Sequence, residues 1–280
     1  LKRSLIRFTR NKYNRDFTKY RFRDINSQFL VDFHLEEQRR GQKNSNTGGA
    51  DRKIKLLLAV YGKARESDVY GADTSVFDSV KLCLRQSRYF SKAVPPEIII
   101  QLEDMDRRHL LKREQLYLDL FLFSYYAGGM SAIDVCHMEK SWIRSGTIEY
   151  ERTKYPNKAR VVLSDKATNV IEKYRKDGYM NYVFPVFKKR DMSISRRMSR
   201  IGYINKELNQ LLKKICTELN IAQKITWSTA RSTFIARMVD AGYPVMQICE
   251  MTGNSPATIH RHYYAVTDIH KMKTQMNTTF

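Results

Sequence analysis

The residues best suited to chemistry lie in the second half of the chain, where positive groups stand close to tyrosines. Arg231 sits in Ala230-Arg231-Ser232-Thr233-Phe234-Ile235-Ala236, a stretch of otherwise small or apolar residues. A guanidinium carried into such surroundings needs an anionic partner, because an uncompensated buried charge is costly. Lys154 has Arg152 and Lys158 nearby, a cluster suited to attracting phosphate. Tyr263 follows the basic run Ile259-His260-Arg261-His262, stands ten residues after Gly253 and has Tyr264 beside it. The chemistry on offer is the holding of phosphate oxygens, with phenol and imidazole groups close by. Cys83, Cys136, Cys216 and Cys249 form no CxxC pair and have no ligand-like histidine spacing. They read as reduced core residues rather than a metal centre or a disulfide framework, and no cofactor is expected.

Charge points the same way. The chain carries 50 Lys and Arg against 29 Asp and Glu, a net charge of +21. A balance this basic favours a polyanion, and nucleic acid in particular, since each phosphate contact releases counterions. Residues 1–65 alone hold 17 basic against 6 acidic residues, which puts more than half of the excess in under a quarter of the chain. No apolar run is long enough for a membrane span, and no signal-peptide stretch follows Leu1-Lys2-Arg3-Ser4, so an intracellular protein without a membrane partner is expected. The chain opens on Leu1 rather than Met, which suggests a preceding segment.

At 280 residues, 42% of them hydrophobic, two domains each able to bury a core are expected. Asn26 is placed to cap a helix from about Ser27 to Arg39, with Phe29, Leu30 and Phe33 at helical spacing. The polar stretch from Gly41 to Gly49 breaks that pattern, and Ile54, Leu57, Leu58 and Tyr61 mark a second helix with a basic exterior. Periodicity is lost from Gly71 to Pro96, and Val94-Pro95-Pro96 disfavours helix continuation. A linker is therefore placed at 89–96, between domains at 1–88 and 97–280. Leu116 to Tyr126 reads as a buried helix ending at Gly128-Gly129, its aromatics core rather than stacking groups. Ile148 to Lys154 and Arg160 to Leu163 read as a β-hairpin. Ile204, Leu208, Leu211, Leu212, Ile215 and Leu219 mark one face of a long helix. From Thr229 to Glu250 helices are broken at Gly242-Tyr243-Pro244. The fold class expected is mostly α with a small β-hairpin or sheet.

The end of the chain resembles the catalytic domain of the tyrosine recombinases, the phage-type integrases of mobile elements. The resemblance rests on Ala230 to Ala236, on Ala241-Gly242-Tyr243, and on Met251-Thr252-Gly253-Asn254-Ser255 with Tyr263 beyond. Phe121 to Asp134 looks like the helix and turn that open that domain, the hairpin ending at Lys154 like its lysine-bearing hairpin, and Val183-Phe184-Pro185 like the segment that follows. Residues 1–90 are similar to the helical core-binding domain. The resemblance implies two mostly helical domains closing as a C-shaped clamp around double-stranded DNA, with self-association into a tetramer on two sites. It also implies a bacterial, nucleoid-associated location in the cytoplasm, and in related integrases a further N-terminal domain binds arm sites.

What the resemblance implies for chemistry is attack of a tyrosine hydroxyl on a DNA phosphodiester, leaving a 3′-phosphotyrosine and a free 5′-hydroxyl without metal or ATP. Carried over residue by residue, Tyr263 is the nucleophile, Arg231 the second family arginine and Lys154 the hairpin lysine. The first arginine is expected after the Phe121 helix, where the sequence reads Ala127-Gly128-Gly129-Met130. Ser228 replaces a histidine three residues before Arg231, and Asn254 replaces the usual His or Trp after the turn glycine. Losing one preorganised donor to a transition-state oxyanion costs about 10²–10³ in rate. Two expectations therefore stand side by side: an active recombinase, with Asn254, Ser228 and the neighbouring His260 and His262 compensating, or a catalytically impaired paralogue acting as a DNA-binding accessory or regulatory protein. A basic helical protein for RNA or nonspecific DNA is a third, and it would have no need for the Arg231-to-Tyr263 order.

Overall fold

The computed structural model of the chain describes residues 1–43, 49–84, 92–154, 156–191, 193–264 and 276–277. The chain divides into two compact units, Leu1–Arg88 and Tyr89–Phe280.

The first unit is helical: α1 (Lys2–Tyr13), α2 (Ser27–Lys43), α3 (Ala50–Glu66) and the short α4 (Asp78–Cys83). Its core joins Leu5 and Phe8 of α1 to Phe29, Leu30 and Phe33 of α2, Ile54, Leu57 and Tyr61 of α3, and Phe77 and Val80. Asn26 caps α2 as its position suggests, its Oδ1 accepting from the Phe29 N–H at 2.9 Å. Helix α2 runs past the expected stop at Arg39 to Lys43, because Gly41 is buried within its last turn. Helix α1 is not anticipated from sequence, since only Leu5, Phe8 and Thr9 of its twelve residues are buried among basic neighbours. Glu37 is also buried here, ion-paired with both Arg7 and Lys53, and His34 meets Asp51 at 2.6 Å.

The second unit begins with α5 (Pro96–Asp104), α6 (Lys112–Tyr126) and α7 (Ala132–Cys136). Pro96 opens α5 at its first turn, where the missing N–H costs nothing. Every residue from Tyr117 to Tyr125 is buried, because α6 is the central helix and packs against α7, α8, α9 and α10. An antiparallel sheet follows in the order β1 (Ile143–Arg144), β2 (Thr147–Glu151) and β3 (Lys158–Val162). Ile148 pairs with Val161 and Tyr150 with Ala159, and all four face the interior. Pairing ends at Glu151 and Lys158, three residues short of the expected strand end at Lys154: the Arg152 N–H still reaches Asn157 O at 3.1 Å, but the Thr153 N–H turns to Asp134 Oδ1 of α7. The remaining elements are α8 (Asp165–Tyr174), α9 (Ile194–Glu218), α10 (Trp227–Asp240), α11 (Val245–Thr252) and α12 (Pro256–Ile259), then a π-helical turn at His260–Tyr264.

The chain is mostly helical with one small three-stranded sheet, in agreement with the α-rich class expected. Among the described residues no helix is long and apolar enough to cross a membrane. Cys136, Cys216 and Cys249 are buried, whereas Cys83 is exposed. That corrects the reading of all four as core, because Cys83 is the last residue of α4 and only Val80 of that helix is buried. Residues 89–91 of the expected linker and most of the C-terminal segment from Thr267 lie outside the described residues.

Candidate functional site

Helix α10 is held at its start. Thr226 and Thr229 form a reciprocal cap, Asn209 of α9 accepts from the Trp227 N–H at 3.0 Å, and Trp227 Nε1 donates to Ser124 Oγ of α6 at 3.2 Å. One turn on, Arg231 reaches from α10 to two other segments. Its Nε donates to Gly129 O at 2.7 Å, and its Nη1 donates to Thr252 O at 2.8 Å and to Asn254 Oδ1 at 3.1 Å. Its Nη2 is shielded from solvent yet meets no acceptor at bonding distance among the described residues. Burial, and then the charge of Arg152, pull Arg231 below the usual arginine range.

The turn after α6 explains this geometry. Gly128 and Gly129 both have positive φ, 73° and 66°, a region that favours glycine. A Cβ on Gly129 would lie 2.4 Å from Arg231 Cα, and one on Gly128 would lie 2.9 Å from Met251 O. The turn expected to carry an arginine is thus pinched between α10 and α11, and a side chain at either position would displace backbone.

A cation arrives instead from the hairpin. Arg152, just beyond β2, donates through Nη1 to Gly253 O at 2.6 Å and to Asn254 Oδ1 at 3.1 Å. Gly253 ends α11 with φ 62°, and a Cβ there would meet Arg152 Cδ at 2.4 Å. The loop bearing Arg152 is fixed by buried Asp134 of α7, whose Oδ1 accepts from the Thr153 N–H at 2.9 Å while Oδ2 accepts from Ser131 Oγ at 2.7 Å. Tyr150 of β2 is part of the same surroundings. Burial pushes its hydroxyl up to about 12, with the charges of Arg231 and Arg152 pulling the other way.

Of the residues singled out from sequence, Arg231 and Asn254 are therefore hydrogen-bonded to each other. Tyr263 lies close enough for its charge to act on Arg231, and its ring packs with Ile235, Ile248, Cys249 and Ile259. Lys154 is exposed, two residues beyond Arg152 on the same loop. Ser228 is also exposed, in the first turn of α10, where its Oγ accepts from Lys92 Nζ at 3.3 Å and lies 3.0 Å from Thr226 Oγ1. It faces that pair rather than Asn254. Arg152 and Asp134 were not singled out from sequence. Arg152 looked like one more basic residue of a hairpin tip, and the signal that marks Asp134 is a carboxylate placed among apolar residues in Ala132 to Cys136.

Among the described residues no group of His, Cys, Asp and Glu could hold a metal ion. What the cluster can do is donate hydrogen bonds from two guanidiniums to one anion, within reach of a phenol.

No curated protein matches the sequence. Solved structures do match the fold. The Tn1549 transposon integrase in complex with circular intermediate DNA is 15% identical, with a TM-score of 0.67, covering 96% of this chain and 91% of that one. A lambda integrase dimer bound to a COC′ core site is 13% identical, with a TM-score of 0.60, covering 88% and 82%. A lambda integrase tetramer bound to a Holliday junction is 14% identical, with a TM-score of 0.57, covering 83% and 65%. The sequence pattern of the phage integrase family matches residues 99–270, the greater part of the chain and the whole of the cluster just described. The chain therefore belongs to the phage integrase family, the tyrosine recombinases that its C-terminal motifs resemble.

Proposed function

We propose that the chain is a site-specific DNA recombinase that cuts and rejoins strands through Tyr263 during integration or excision of a mobile element. The observation that carries this reading is Arg231: a guanidinium withdrawn from water, held by the carbonyl oxygens of Gly129, Thr252 and Asn254, with a spare Nη2 and with Asp134, Tyr150 and Tyr263 within reach of its charge. A phosphodiester offers the spare Nη2 a charged acceptor.

In the proposed step Tyr263 Oη attacks phosphorus, its proton passing to a nearby base such as His260 or His262. The bond from phosphorus to the 5′-oxygen breaks, and the leaving oxygen takes a proton from Lys154 to become a 5′-hydroxyl. Arg231 holds the non-bridging oxygens as charge builds on them, and Asn254 and Ser228 stand at the positions usually occupied by stronger donors. Residues 1–88 form the helical core-binding domain and residues 97–280 the catalytic domain, both engaging duplex DNA. Self-association into a tetramer on two sites follows from the same reading, as does a place at the bacterial nucleoid in the cytoplasm.

The test is a library of nicked duplexes incubated with the chain, from which detergent-resistant protein–DNA adducts are recovered and sequenced. The wild type should yield adducts on a restricted set of sequences, and Tyr263→Phe should yield none. Adducts that persist in Tyr263→Phe but vanish in Tyr264→Phe would move the nucleophile by one residue.

A second reading is favoured by the pinched Gly128-Gly129 turn and by the exposed Ser228: a family member that binds DNA without cutting it, as an accessory or regulator. Sequence-selective binding with no adduct on any duplex would support that reading over the first. Steep loss of binding with salt and no sequence preference would instead indicate a nonspecific nucleic-acid binder.

A further inference from the structure

The contacts around Asn254 are unusual in one respect: two cations converge on one uncharged oxygen. Arg231 Nη1 and Arg152 Nη1 each lie 3.1 Å from Asn254 Oδ1. The same two nitrogens also donate to backbone carbonyls, Arg231 Nη1 to Thr252 O and Arg152 Nη1 to Gly253 O. A carboxamide carries no charge of its own, the buried carboxylate of Asp134 acts on Arg231, and an oxyanion arriving at this point would be attracted by both guanidiniums at once. Both stems are locked. Arg231 is pressed against Gly129 and Arg152 against Gly253, in each case so closely that a Cβ on the glycine would lie 2.4 Å from the arginine. The loop of Arg152 is also tied down by Asp134 through the Thr153 N–H.

We infer that Arg152 and Arg231 form a two-guanidinium oxyanion site, in which Arg152 supplies the cation that the Gly128-Gly129 turn has no room for and Asn254 sets the spacing of the pair. In the apo arrangement Asn254 Oδ1 occupies the shared acceptor position. When an oxyanion arrives, its oxygens take over that position, each guanidinium donating to the anion. This deepens the proposed function and rests on it for the identity of the anion, the phosphate under attack. It assigns Arg152 direct contact with that phosphate and makes Asn254 a positioning residue.

The experiment uses tungstate, a tetrahedral oxyanion with a strong anomalous signal, soaked over a concentration series into crystals of the full chain and of three variants. In the wild type a single ion should bridge the guanidiniums of Arg152 and Arg231. Arg152→Gln should weaken its occupancy about 10-fold to 150-fold, the value of a hydrogen bond to a charged group. Arg152→Lys keeps the aliphatic stem over Gly253 and one positive charge, so it should retain part of the binding. Asn254→Asp places a carboxylate between the two cations and should exclude the ion. Tungstate held equally by wild type and Arg152→Gln, tungstate on Arg231 without Arg152, or none at the pair in the wild type would each overturn the assignment. Because the readout is an anion rather than a cut strand, the two ideas fail separately. An ion bridging both arginines in a protein that forms no covalent adduct would keep this site and remove the nucleophile.

Discussion

Arg152, just beyond β2, and Arg231 of α10 donate to the same atom, Asn254 Oδ1. Two bonds of 3.1 Å to one oxygen hold the donating nitrogens within about 6 Å of each other. At an effective dielectric of 20 the repulsion between two unit charges at that distance is roughly 3 kcal/mol before screening. The fold tolerates this through the carbonyls of Gly129, Thr252 and Gly253, which solvate the pair, and through Asp134 and Tyr150, which favour the charged form of Arg231.

The glycine turn can be tested through stability. At Gly129 the backbone has φ 66°, and a Cβ would lie 2.4 Å from Arg231 Cα. Gly129→Ala should destabilise the second unit by roughly 3 kcal/mol, combining left-handed strain with displacement of α10. Urea unfolding followed by far-ultraviolet circular dichroism reads this directly. A loss below about 0.5 kcal/mol, the usual size of a surface change, would mean that α10 is free to shift.

The pH dependence of stability should carry a contribution from His137. Burial beside Tyr182 and Phe187 pushes its imidazolium down and the charge of Arg197 adds to this, outweighing the 2.9 Å hydrogen bond between Nδ1 and Ile133 O, which favours the charged form. The folded state therefore binds its proton less readily than the unfolded state. The resulting stability is present above the unfolded pKa of about 6.5 and is lost as pH falls through it. Comparing urea midpoints at pH 7.5 and 5.5 should show a larger acid loss for the wild type than for His137→Gln. Equal losses would exclude His137 as the source.

Thiol chemistry separates the cysteines. Cys83 is exposed while Cys136, Cys216 and Cys249 are buried, and burial pushes the Cys136 thiol up to about 12. A native-state titration with an aromatic disulfide reagent should modify one thiol rapidly and the other three only on unfolding. Cys83→Ser should remove the fast phase. Fast reaction of a second thiol would show that a buried helix opens under native conditions.

Much of the fold could be read from the order of residues, for a definable reason. Where an element buries one face or all of itself, its apolar period survives in the sequence, as in α6, in α9 and in the alternation of Ile148, Tyr150, Ala159 and Val161. Helix α1 escaped because two large apolar anchors among basic residues leave a period too faint to distinguish from a charged segment. Cys83 was misplaced because residue type favours burial while its position at the end of α4 does not.

The sequence by itself determined the helical class, the basic character, and the order Lys154, Arg231, Tyr263 on which the family resemblance rests. It also showed that the turn after α6 carries no arginine. Tertiary structure alone decided that this turn has no space for one, that Arg152 rather than another basic residue meets Arg231, and that Asn254 stands between them. The physical reason is that charge is counted along the chain but acts through space. Fifty cations look alike in a sequence, and only packing selects the two that share an acceptor.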